Sequence, residues 1–404
     1  MNMLVKDGGT PYKTKPFPTW PFSDERELQL VEEVVKSRNW WRMSGNKVVE
    51  FEEKFAKLQD AEYCLGVTNG THAIELALYT LGIGIGDEVI LPAFTFISTA
   101  TAVLYCNATP ILVDVDPETF CMTPEAFEKA ITPKTKAVIP VHMAGHSCDM
   151  DAICEIARKH GIKVVEDAAH AHGAEYKAKR MGSFGDMSIF SFQNGKLMTC
   201  GEGGALVTNN KELYEKAYLI HGVGRPKGDR VYAHLVLGSN YRMNEFQAAV
   251  LIAQMERLEK MNEKRQVNAA LLDKLLADVQ GITPQGKNSH ATLNPHYMYM
   301  FYYNSEYFGG LSRQQFVELL IMEGVPSFVA YPVISETIFF KENNFAGRIN
   351  EYPHQNEADL TNAKKIADNV VWLPHFTLLG DEEDIFEIAG AIKKIQNFFP
   401  EIYK

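Results

Sequence analysis

A chain of 404 residues exceeds what one hydrophobic core usually supports, so two domains are expected. With 46% hydrophobic and 23% charged residues it has an ordinary globular composition, and 40 basic against 51 acidic side chains leave a net charge of −11. That acidic balance argues against nucleic acid or an anionic membrane as the main partner, and no apolar run approaches the ~20 residues of a membrane span.

The first 24 residues, rich in Pro, Lys and Gly, read as an extended N-terminal arm. Their opening, MNMLVKDGGTPYKTKPFPTWPF, has no continuous apolar core of signal-peptide length, so the expected location is cytoplasmic. A strand-like YCLGVT (63–68) is followed by THAIELALYTLG (71–82), with apolar residues at helical spacing. EVILP (88–92), STATAVLYCN (98–107) and TPILVDVD (109–116) give strand, small-residue helix and strand. KAVIPVH (136–142), DAICEIARKHG (151–161) and IKVVED (162–167) repeat the pattern, and further strands cover 188–192 and 205–208. Such alternation implies an α/β fold with a mostly parallel sheet covered by helices on both faces. A long helical pattern after residue 244 carries the chain out of a large domain, 25–265, into a smaller α+β domain, 266–404.

Several residues fall just beyond strand ends, where open α/β sheets place their ligands. In TNGTHA, Gly70 permits a tight turn and Thr71 opens a helix whose free N–H groups suit a phosphate, although an ordinary helix cap reads the same. VVEDAAHAHG delivers Asp167 at the end of a β-branched strand, where a carboxylate is costly unless it meets a cation. Phe96 begins a helix and is either core or a stacking platform. Lys196 lies in SIFSFQNGKLMTCGEGG (188–204), framed by Gly195, Gly201, Gly203 and Gly204, which tolerate positive φ and close approach to a ligand. A phosphate cradle, an aromatic platform, a carboxylate and a lysine together form the set that pyridoxal phosphate needs.

The six cysteines are scattered without a CxxC pair, which excludes a disulfide framework and a zinc ribbon. Cys200, four residues from Lys196, reads as a small filler rather than a reactive thiol. His142 and His146 lie in a loop after a strand, a placement that argues against a metal site.

The motif order resembles the DegT/StrS family of pyridoxal-phosphate-dependent sugar aminotransferases, within the aspartate-aminotransferase-like fold (fold type I). The likeness runs from WWRMSGNKVVEFEEKFA (40–56) through TNGTHA, DEVILPAFTFISTATAV, VEDAAHAHGA and SIFSFQNGKLMTCGEGG to GSNYRMNEFQAAVL (238–251). The resemblance implies Lys196 as the Schiff-base lysine and Asp167 as the partner of the pyridine nitrogen. It implies His170 near the ring hydroxyl, Phe96 as the stacking aromatic, and Gly70, Thr71 and Ser191 as phosphate ligands. Asn240, with Arg242 as a second candidate, would reach the phosphate of a neighbouring subunit, which implies a homodimer with shared active sites.

WWRMSG and SFQNGKLMTCGEGG look most like the glutamine-dependent keto-cyclitol aminotransferases of aminoglycoside pathways, with aminohydroxybenzoate synthases next. The expected reaction therefore moves an amino group from glutamine or glutamate to a keto-sugar or keto-cyclitol by ping-pong kinetics. Residues 266–404 offer only Arg313 and Arg348, neither in the motif that clamps an amino-acid carboxylate. Retention of Lys196 argues against the dehydratase branch. A pyridoxal-phosphate-binding regulator is the reading from a different class, although no separate helix-turn-helix segment is visible.

Overall fold

Alternating buried strands and amphipathic helices build a layered scaffold, seen here in a computed structural model whose described residues are 3–349 and 360–399. The chain enters through α1 (Glu25–Ser37), started by a capping box between Asp24 and Glu27, and α2 (Lys47–Leu58). It continues through β1 (Tyr63–Val67), α3 (Gly70–Leu81), β2 (Glu88–Pro92), α4 (Ser98–Tyr105) and β3 (Thr109–Val113). Then come α5 (Pro124–Lys129), β4 (Thr135–Val138), α6 (Met150–His160) and β5 (Lys163–Asp167). A short excursion, β6 (Glu175–Tyr176) and β7 (Lys179–Arg180), precedes β8 (Met187–Ser191), β9 (Gly204–Thr208) and α7 (Lys211–His221).

Seven of these strands form one sheet in the order β1-β9-β8-β5-β4-β2-β3. Pairing from β3 through β8 is parallel, and β9 runs antiparallel to both neighbours. All five residues of β8 and of β9 are buried, as continuous apolar runs in a covered sheet require. The expected strand 109–116 stops at Val113. Asp114 turns out of the sheet, and its carboxylate accepts from Asn362 N (2.9 Å) and Ala363 N (2.7 Å).

Helix α8 (Glu245–Leu276) begins at an Asn244–Gln247 capping box. Its Leu251, Ile252 and Leu258 belong to the core around the large sheet, whereas Ala269, Leu272 and Leu276 belong to a second core. That second core surrounds a four-stranded antiparallel sheet of β10 (Ile282–Pro284), β12 (Met298–Tyr303), β14 (Val370–Pro374) and β13 (Phe328–Val329). Between β10 and β12, β11 (Ala291–Leu293) pairs back onto β6 and ties the two regions together. Helices α9 (Arg313–Met322), α10 (Ile338–Lys341), α11 (Thr361–Asn369) and α12 (Glu382–Phe398) complete the C-terminal part. Its Met298, Val333 and Ile366 pack into the first core, so the C-terminal residues serve both cores.

The arm is less free than its composition suggests. Leu4 is fully buried in the second core, and Lys13 places its ammonium on Asp384 and, at 2.7 Å, on Glu387. At its other end the Phe22 carbonyl accepts from Gln254 of α8 at 2.7 Å.

One buried carboxylate fixes the entry to β8. Glu166 accepts from Gly182 N (2.8 Å), Phe184 N and Gly185 N (2.7 Å each) and Ser188 Oγ (3.0 Å), with His142 Nε2 at 3.2 Å. Burial pushes its pKa up, but the His142 contact and the amide donors outweigh burial and hold it below the usual carboxylate value. A depressed folded pKa gives stability that is complete above the ordinary value and is lost as the pH falls below it. Glu166→Gln, which turns two donors toward N–H groups, should cost about 3 kcal/mol. The melting temperature of the variant should also be less sensitive than wild type to acidification below the carboxylate range, as read by thermal melts at stepped pH.

Candidate active site

The parallel strands deliver their C-terminal ends to one edge of the sheet, and antiparallel β9 brings its first residue to the same edge. A cavity of ≈ 750 Å³ opens there, within the range of small-molecule and cofactor sites. Gly70, Thr71, Phe96, Asp167, His170, Ser191 and Lys196, far apart in sequence, all line it. Asn240 and Arg242 do not line it; Asn240 is exposed and bridges Gly222, while Arg242 lies over the Trp41 ring at 5.9 Å.

At one end the β1–α3 turn meets the last residue of β8. The helix begins at Gly70, and Asn69, not Thr71, is its cap, accepting from His72 N at 2.8 Å. Thr71 is thereby released to donate to Ser98 Oγ at 2.9 Å across the cavity wall. A Cβ on Gly70 would come within 2.8 Å of Ser191 Cβ, and one on Gly204 within 2.5 Å of the Asn69 backbone. Close backbone approach, not positive φ, is therefore what requires these two glycines; Gly201 is the one of the four framing glycines with positive φ.

In the middle stands Asp167, 6% exposed, accepting from Thr99 Oγ1 (2.9 Å) and Ala169 N (3.2 Å). Burial raises its pKa despite those bonds and the charge of Lys196. No helix follows β5 directly, so this carboxylate is not a helix cap. His170 stacks on Tyr297 with centroids 4.3 Å apart, and its buried Nδ1 has no hydrogen-bond partner. Burial drives the His170 pKa well below the histidine range, so the ring is neutral. Phe96 is 51% exposed at the cavity, which removes the plain-core reading.

Lys196 is buried, and its Nζ lies 4.4 Å from the Tyr297 ring centroid. Burial lowers its pKa to about 8, while Asp167 pulls the other way. Such an amine supplies free base near neutral pH, which a nucleophilic or proton-carrying lysine requires. Cys200 is largely buried, its Sγ donating to the Glu202 carbonyl at 3.2 Å, and burial pushes its thiol up, so it is not an activated nucleophile. His146 Nδ1 faces Asn294 Nδ2 at 3.3 Å, while His142 serves Glu166.

Thr99, Ser98, Tyr297 and Tyr331 also line the cavity and escaped the sequence reading. Thr99 looked like one more small residue in a small-residue helix, and Tyr297 like one aromatic in the strand pattern YMYMFYYN. Their significance comes from long-range approaches, of Thr99 across 68 residues to Asp167 and of Tyr297 to Lys196. Neither C-terminal arginine lines the cavity. Arg313 donates to the Ala367 and Val370 carbonyls at the end of α11, and Arg348 to the Tyr105 carbonyl at 3.1 Å.

Comparison with known proteins agrees with this geometry. The DegT/DnrJ/EryC1/StrS aminotransferase family matches residues 21–393. The chain belongs to that family. It is a pyridoxal-phosphate-dependent aminotransferase of the sugar and cyclitol class. It is similar to 3-amino-5-hydroxybenzoate synthase of Amycolatopsis mediterranei (strain S699), with 43% identity over 94% of this chain and 97% of that one. It is 36% identical to the L-glutamine:2-deoxy-scyllo-inosose aminotransferase of Streptoalloteichus tenebrarius, over 97% of both chains. A crystal structure of 3-amino-5-hydroxybenzoic acid synthase superposes with a TM-score of 0.89 at 42% identity, covering 95% of this chain and 99% of that one. Among the described residues, no helix is long and apolar enough to cross a membrane.

The electrostatics of the cavity can be read directly. In cofactor-free protein, Lys196 should titrate with a midpoint near 8, and Asp167→Asn should move that midpoint down, because the carboxylate is what raises it. Competitive amine labelling across pH, quantified by mass spectrometry of the Lys196 peptide, measures both.

Proposed function

We propose that the protein transfers the amino group of glutamine or glutamate to a keto-sugar or keto-cyclitol, as a cytoplasmic homodimer with shared active sites. The observation that carries the reading is one cavity holding a buried amine of pKa about 8, a buried carboxylate and a glycine-tight turn, with no guanidinium among its described lining residues. The residues fit pyridoxal phosphate. The Gly70–Ser191 contact makes a cradle that a Cβ would fill, and the unpartnered His170 Nδ1 is available to a ring oxygen. Gly70, Thr71 and Ser191 would hold the phosphate, Phe96 would cover the ring, and Asp167 would face its nitrogen.

The cofactor supplies an aldehyde that takes up the amino group and a ring that delocalises the charge left on the substrate carbon. Lys196 Nζ, whose lowered pKa makes free base accessible near neutral pH, removes the proton from the donor carbon and returns one to the acceptor side. Asp167, desolvated and steadied by Thr99 and Ala169, holds a proton on the ring nitrogen, since a buried carboxylate is stable only beside a cation. Tyr297, pushed up to about 12 by burial, stays neutral and keeps the Lys196 amine on its ring face.

Similarity to a glutamine:inosose aminotransferase supports a cyclitol acceptor, and the 43% identity to an aminohydroxybenzoate synthase favours a second reading, formation of an amino-hydroxybenzoate. Half-reactions separate the donors. Each amino acid is added alone to holoenzyme, and loss of the visible cofactor absorbance is followed. Glutamine should react at least as fast as glutamate, with aspartate and alanine slow; aspartate or alanine outperforming both would overturn the donor assignment. A panel of keto-sugars and keto-cyclitols, one bearing a carboxylate, then separates the two acceptor readings. Appearance of an aromatic ultraviolet band marks the second.

Assembly has its own support. Val231, Tyr232, Leu235 and Leu237 form an exposed apolar stretch beside Asn240, and Trp40 and Trp41 are half exposed. If Asn240 completes the partner's phosphate site, Asn240→Ala is itself strongly impaired. Mixed dimers of Lys196→Ala and Asn240→Ala subunits should then regain activity in one site of two, up to about half of wild type. Exchanged heterodimers that stay inactive would place Asn240 outside the site.

A further inference from the structure

We propose that Trp20, in the N-terminal arm, is a positioning residue for Lys196, acting through the backbone of the turn that carries the lysine. The inference rests on the reading of Lys196 as the cofactor lysine. That turn is held from inside by two bonds: Lys196 N donates to the Gln193 carbonyl at 2.9 Å, and Gly195 N to Gln193 Oε1 at 2.8 Å. Gln193 and Asn194 are themselves exposed, so within the turn the peptide between Asn194 and Gly195 is held at its N–H by an exposed side chain, and its carbonyl has no partner inside the turn. Trp20 holds that carbonyl from outside: its indole Nε1 donates to the Asn194 oxygen at 3.0 Å, two residues before the lysine.

The indole is fixed in turn by a row of rings that returns to the same amine. Trp20 meets His375 edge-on at 4.4 Å, His375 lies parallel to Tyr297 at 6.1 Å, and Tyr297 stacks on His170 at 4.3 Å with Lys196 Nζ over its face at 4.4 Å. One tryptophan thereby bonds the lysine's backbone turn and, through His375, borders the tyrosine beneath its amine. The arm is tethered on both sides of Trp20. Lys13 is bound to Asp384 and Glu387 of α12, and the Phe22 carbonyl to Gln254 of α8. The arm is therefore anchored on either side of the indole, to α12 and to α8. Lys196 must reach a reacting carbon within a few tenths of an ångström, so a peptide left to rotate two residues away lowers the rate and leaves donor binding largely intact.

Trp20→Phe keeps a ring against His375 and deletes the N–H; Trp20→Ala deletes both. Each is purified as full-length holoenzyme, and borohydride reduction with peptide mapping locates the bound cofactor. With Trp20→Phe the adduct should remain on Lys196 and the melting temperature stay within about 3 °C of wild type. The glutamine half-reaction should slow about tenfold with little change in the half-saturating concentration, and Trp20→Ala should slow it further. The pH midpoint of the holoenzyme's visible absorbance should move in both, a signature that loss of folded protein does not produce. A Trp20→Phe enzyme with wild-type rate and midpoint would overturn the proposal, as would losses that follow only the fraction of folded, cofactor-loaded protein. A wild-type adduct on a lysine other than Lys196 would overturn the underlying reading instead.

Discussion

The structure depends on removing one amine from water without neutralising it by a salt bridge. Lys196 is buried against a tyrosine ring, and Asp167 interacts with it through charge while making its own hydrogen bonds to Thr99 and Ala169. Desolvation is the largest cause of every shift at the site: the lysine comes down toward 8, the aspartate goes up, and His170 is forced neutral. A solvated turn would leave almost no free amine at neutral pH, and a directly paired one less still, whereas burial raises that share. Both the covered sheet and the C-terminal part serve this condition, the first by bringing strand ends together and the second by supplying Tyr297, which packs against the first core.

Much of this was legible because it is local. β1, α3, β2, α4 and β5 follow from period-2 and period-3.6 patterning, and their boundaries fall within a few residues of expectation. Gly70, Thr71, Phe96, Asp167, His170, Ser191 and Lys196 were marked by their places after strands or by the family likeness, and the fold draws all seven to one cavity. What escaped is long-range. Thr99 is significant because Asp167 comes to it, Tyr297 because it lies beneath Lys196, and Trp20 because Asn194 turns its carbonyl outward. The glycines show a subtler gap: their importance was legible, but the reason differs, since Gly70 and Gly204 are required by neighbouring atoms rather than by φ. Asn240 does not line its own chain's cavity, so the fold of one chain gives it no place in the site.

Use of two unlike substrates in turn constrains the cavity wall. Amino-acid aminotransferases with an arginine clamp read a carboxylate by two parallel N–H bonds, a geometry that a ring hydroxyl cannot match. Here the described wall offers Thr71, Ser98, Gln193, Tyr297 and Tyr331, groups that accept and donate, and it adds the carboxylates of Glu75 and Glu202. Hydroxyls of a polyhydroxylated ring suit such a surface, since they donate to carboxylates and exchange bonds with the rest. Discrimination between the two five-carbon donors falls on their side chains, because their α-carboxylates are identical. A second carboxylate would approach Glu75 and Glu202 with like charge and no guanidinium to offset it, whereas an amide donates to them. On such a surface the proposed preference for glutamine over glutamate and the proposed cyclitol acceptor would share one electrostatic cause.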